Sequence, residues 1–78
     1  MPLVFKYRGF TFFFYSKEEE RMHIHVEQGN SRAKFWMTPD IQLASSAEIN
    51  SSLLKEFEKT IRRRQNEIID KWKKHRFK

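Results

Sequence analysis

His23, His25 and Glu27 stand at every second position of residues 22–37, MHIHVEQGNSRAKFWM, and Arg32 and Lys34 follow at the same spacing. In an extended strand such residues share a face, with neighbours ~6.8 Å apart, so two imidazoles can converge on one small group. Unperturbed imidazoles titrate near ~6.5, which lets one take a proton and another give one at neutral pH. With cations beside them this is equipment for metal-independent RNA cleavage. That reaction needs a base for the 2′-hydroxyl, an acid for the departing oxygen and positive charge for the phosphoryl oxygens. His23 and His25 are the candidate base and acid, and Arg32 and Lys34 the candidate phosphate contacts.

Two other readings of the same residues stay open. His23 and His25 with Glu27 also make a donor set suited to zinc or non-haem iron. Against it, Lys34 is expected opposite His25 and would repel a cation, and no further ligand is evident, so no metal or other cofactor is assigned. In the third reading the histidines bond neighbouring groups and Glu27 with Arg32 is an ordinary surface pair. Any one of these residues alone is more often structural; their gathering on one face is what speaks for function.

The element that must position them is a hairpin turning at Gly29-Asn30. Glycine at the first of two loop positions suits a type II′ turn. The register then pairs Glu27 with Arg32, Val26 with Ala33, His25 with Lys34, Ile24 with Phe35 and His23 with Trp36. Apolar meets apolar on one face and polar meets polar on the other, and a slip of one residue would spoil every pair.

Residues 3–15, LVFKYRGFTFFFY, predict an earlier hairpin turning near Arg8-Gly9, with Tyr7 opposite Phe10. Leu3, Phe5, Tyr7, Phe10, Phe12 and Phe14 would form an aromatic core wall, leaving Phe13 and Tyr15 on the outer face. Residues 16–21, SKEEER, read as a charged loop. Thr38-Pro39-Asp40 ends the second hairpin, residues 40–43 offer a short edge strand with Ile41 and Leu43 inward, and residues 44–48 read as a loop. Asn50 is placed to cap a helix whose apolar stripe is Leu53, Leu54, Phe57, Ile61, Ile68 and Trp72, interrupted by Gln65.

Charge is divided unevenly along the chain. Residues 1–49 carry six Lys/Arg against six Asp/Glu, whereas residues 50–78 carry ten against four and hold the whole net charge of +6. Pairs four apart, Glu58 with Arg62, Arg63 with Glu67, Glu67 with Lys71 and Asp70 with Lys74, neutralise part of this field. Arg62, Arg63, Lys71, Lys73, Lys74 and Arg76 on the helix, with Trp36 on the hairpin, are the candidate nucleic-acid contacts. With no cysteine, no apolar run of spanning length and no signal-peptide pattern, a cytoplasmic protein without membrane association is expected.

The blocks FFFYS at 12–16, HIHVE at 23–27 and AKFWM at 33–37, followed by a charged C-terminal helix, resemble a bacterial family first catalogued as a domain of unknown function and often labelled a type II toxin–antitoxin toxin, DhiT-like. The resemblance spans nearly the whole chain, departing at Arg21-Met22, where that family's pattern has prolines. It implies a small toxin bound by an antitoxin protein from an adjacent gene; it supplies no catalytic residues.

The sequence therefore predicts one α+β domain over residues 1–78. An antiparallel, curved sheet of four to five strands, two hairpins plus an edge strand over about residues 3–43, packs against one long helix over about 51–74, with a basic tail at 75–78. The leading functional expectation is a toxin acting on RNA; the alternative is a non-enzymatic module that binds nucleic acid or protein. At this size dimerisation would supplement the core, so a homodimer is a candidate state.

Overall fold

The computed structural model describes residues 3–15 and 21–76. The chain runs β1 (Leu3–Tyr7), β2 (Phe10–Phe13), β3 (His23–Gln28), β4 (Ser31–Trp36), β5 (Gln42–Ala47), α1 (Ser51–Arg63) and α2 (Gln65–Arg76). The five strands form one antiparallel sheet in the order β1-β2-β3-β4-β5, so the architecture is α+β. The helices cover one face, which carries Phe5, Phe10, Phe12, Ile24, Val26, Ala33 and Phe35, all buried. Residues 16–20 of the charged loop expected at 16–21, and the last two residues of the tail, lie outside the described residues.

The β3–β4 hairpin has the predicted register at all five pairs, continued by Gln28 opposite Ser31. Gly29 has φ +58 while Asn30 keeps a negative φ, as a type II′ turn requires. In the first hairpin Tyr7 does face Phe10, and both turn residues are left-handed, Arg8 at φ +54 and Gly9 at φ +81. Twisted strands favour such a turn.

Two bulges change what the alternation predicts. The register shifts between Leu3 and Phe5, turning Val4 into the core and leaving Leu3, expected in the aromatic wall, 47% exposed. A second shift lies opposite Lys34 and Phe35, and β5 continues through the stretch expected to be a loop as far as Ala47. Ile41 is buried as expected, but Leu43 is 42% exposed, because α1 does not reach over the sheet edge.

Asn50 caps α1, its side chain accepting from the Leu53 amide at 2.8 Å. Phe57, Ile61, Ile68 and Trp72 are buried, with Leu53 and Leu54 partly so. Phe57 meets Phe10 and Phe12 with ring centroids 4.7 and 5.5 Å apart. The single long helix is instead two, divided at Arg64 (φ −109, ψ 20). There the apolar stripe lapses. The Thr60 hydroxyl donates back to the Glu56 carbonyl, a bond that bends helices, and Arg64 lays its guanidinium 3.7 Å from the Phe5 ring centre while pairing with Glu67.

A polar bolt joins the first hairpin to α1. The Tyr7 hydroxyl donates to Glu56 at 2.6 Å and Arg8 donates to both its oxygens at 3.0 and 3.1 Å. These bonds, Tyr7 first and then Arg8, hold the Glu56 carboxyl below its ordinary value.

Candidate functional site

Among the described residues α2 touches the second face of the sheet at its His23 end, and the part around His25, Glu27, Arg32 and Lys34 opens to a concavity. Strand pairing aligns Thr11 with Glu27 and Phe13 with His25, then Glu27 with Arg32, His25 with Lys34 and Lys34 with Ser45. The central hairpin thus delivers His25, Glu27, Arg32 and Lys34 to one surface. A concavity of about 310 Å³ opens there, lined by these four with Ser45 and Ala47. A neighbouring one of about 340 Å³ lies over Thr11, Phe13 and Gln28.

His25 is half-buried in an aromatic setting. Phe13 stacks on it with centroids 5.6 Å apart, and Tyr15 meets it edge-on at 4.5 Å. The Tyr15 hydroxyl donates to Glu27 at 2.8 Å. Phe13, expected to lie outward, is only 2% exposed because its neighbours close over it, whereas Tyr15 is 44% exposed.

His23 corrects the expected pair. Its side chain is fully buried, with the ring 5.2 Å from Trp72 of α2, 5.7 Å from Trp36 and 5.0 Å from His25. Its Nδ1 lies 2.7 Å from the Arg21 carbonyl, which can only accept, so Nδ1 carries the proton. The two imidazoles do not face water side by side. α2 packs Trp72 against the first of them, so His23 is buried where His25 is half-buried, and the two rings differ in access rather than sharing an open face. Among the described residues no three His, Asp or Glu side chains gather as a metal ligand set.

Trp36 is half-buried between cations. The Arg21 guanidinium lies 4.1 Å and the Lys34 ammonium 4.4 Å from its ring centre. Arg21 also donates to the Thr38 carbonyl. The strand alternation could have shown Tyr15 as a neighbour of His25, had the pairing of β2 with β3 been fixed; it depends on a connection whose length leaves register open. Nothing local marks Arg21.

The helical cations are not gathered with this face. Arg62 pairs with Glu58 and donates to the Ile41 carbonyl, Arg63 reaches the Thr60 hydroxyl, and Lys74 pairs with Asp70. Glu67 takes Arg64, and Lys71 donates to the Val4 carbonyl at 3.2 Å. Lys73 is exposed, and the Arg76 side chain lies outside the described residues. No described helix is long and apolar enough to cross a membrane.

Among the described residues, a five-stranded antiparallel sheet with helices on one side and a polar, aromatic-flanked face on the other defines a small α+β domain. The chain belongs to the family described as Domain of unknown function (DUF4160), which it matches over residues 9–73. Comparison with curated proteins and with solved structures gives no significant match.

Proposed function

We propose that this protein is the toxin of a type II toxin–antitoxin pair, working in the cytoplasm, and that it engages RNA on the open face of its sheet. Arg32 and Lys34 meet the phosphates, with Trp36 stacked against the Lys34 ammonium and steadying it, the exposed Tyr15 offers a ring surface for a base, and His25 is the imidazole placed to exchange a proton with a bound strand. The observation that carries this reading is the alignment of His25 with Lys34 beside Arg32 around the 310 Å³ concavity. His23 enters by meeting the His25 ring edge-on from the neighbouring position of the same face.

The toxin and its neighbour-encoded antitoxin are supported by the resemblance of the HIHVE and AKFWM blocks. The rival, a basic helix gripping nucleic acid, is weakened because Arg62, Lys71 and Lys74 already bond within the fold. Expression with and without the adjacent gene, followed by examination of cellular RNA, tests the reading. Growth arrest relieved by the neighbour, with RNA fragments lost in His25→Ala, is the expected result. Growth arrest undiminished in an Arg32→Ala/Lys34→Ala/His25→Ala variant would remove this face from the function.

A further inference from the structure

The two edges of the sheet are finished differently. Both edge strands carry a bulge, at Val4 in β1 and between Leu43 and Ser45 in β5, but β1 adds the Lys71 ammonium on the Val4 carbonyl and the charged Lys6. These are the usual devices that stop a strand from recruiting another. β5, QLASSA, carries no charge, its first five residues are exposed, and it is the outermost strand of the sheet.

A concavity flanks β5 on each side. On the helix side a groove of about 210 Å³ runs between β5 and α1, lined by Phe35, Leu43 and Leu54 with Lys55. On the open side lies the 310 Å³ concavity with Arg32 and Lys34, into which Ser45 and Ala47 of β5 also face. An added strand sends alternate side chains to opposite faces. One set would enter a mainly apolar groove and the other would lie beside the two cations of β4, with Glu27 one strand further from the edge on β3.

We propose that the outer edge of β5 takes an extended segment of a partner protein as a sixth strand, and that this segment alternates apolar with acidic residues. Main-chain hydrogen bonds give such a complex its hold, and the two flanking concavities give it specificity. A second copy of this chain fits poorly. Antiparallel pairing of two β5 strands would set both copies' Arg32 and Lys34 on the same face, and each chain carries a net charge of +6. The inference does not depend on the RNA reading.

The test is titration of the isotope-labelled full chain with a short synthetic peptide of alternating glutamate and valine, followed through amide shifts and amide exchange. Shifts and slowed exchange centred on Gln42–Ala47 are expected. About tenfold weaker binding is expected for Leu43→Ser, for a peptide with two central prolines, and for one with lysine replacing glutamate. Leu43 is exposed, so the variant should fold and keep wild-type RNA binding, which separates this result from the fate of the RNA proposal. Equal binding of the proline peptide would mean charge attraction without strand pairing and would overturn the proposal. So would absence of binding, shifts elsewhere, or a dimer of the chain alone that Leu43→Ser dissolves.

Discussion

The rings of His23 and Trp72 meet at 65° with centroids 5.2 Å apart, fastening the first residue of β3 to α2. Trp72 also sits edge-on to Phe14 at 5.2 Å, and His75 one turn later bonds the Tyr15 carbonyl at 3.0 Å. One histidine of the HIHV block is therefore part of the core, and the other belongs to the surface. The two should answer mutation differently.

His23→Ala should destabilise the fold by about 2–4 kcal/mol, in the range of large-to-small core replacements, since it empties space under Trp72 and Trp36. His25→Ala removes aromatic packing worth about 0.5–1.5 kcal/mol and should keep the fold while lowering any RNA-directed activity. Urea denaturation of both variants checks the order. Equal losses of stability would contradict the burial difference.

Gly9→Ala should cost about 1–2 kcal/mol. The residue has φ +81, and a Cβ there would come 2.5 Å from the Gln28 side-chain nitrogen, which now donates to the Gly9 carbonyl. Thermal melting would register the loss, and a melting point unchanged from wild type would show that the turn relaxes.

The Glu56 bolt sets a pH dependence. Because the folded carboxyl is held below its ordinary value of 4.5, its contribution is in place above that pH and lost as pH falls through the lower folded value. Glu56→Gln should thus be less stable than wild type at neutral pH, with the difference shrinking in acid. Denaturation at stepped pH measures this; a gap constant with pH would mean that ionisation of Glu56 does not matter.

The central hairpin was fully legible in the sequence, because strict alternation and a two-residue glycine turn leave one register that satisfies both faces. The Asn50 cap and the stripe from Phe57 to Trp72 were legible for similar local reasons. The bulges at Val4 and in β5 were not, since the extra residue of a bulge shows only in how a strand pairs with its neighbour. Nor was the break at Arg64, where a guanidinium over Phe5 takes the place of an apolar side chain. His23 misled most. Its alternation put it on the polar face, as it is, but only the path of α2 decides that this end of the face is sealed.

RNA binding across a salt series tests the central claim most directly, comparing wild type with Arg32→Ala/Lys34→Ala and Lys73→Ala/Lys74→Ala. Removing one cation that neutralises a phosphate should lower the slope of log affinity against log salt by about 1 or slightly less. The expected result is a slope reduced by about 1 to 2 for the sheet variant and little changed for the helix variant. Wild-type affinity and slope in the sheet variant, with weakened binding in the helix variant, would move the interface to α2 and contradict the open face as the working surface.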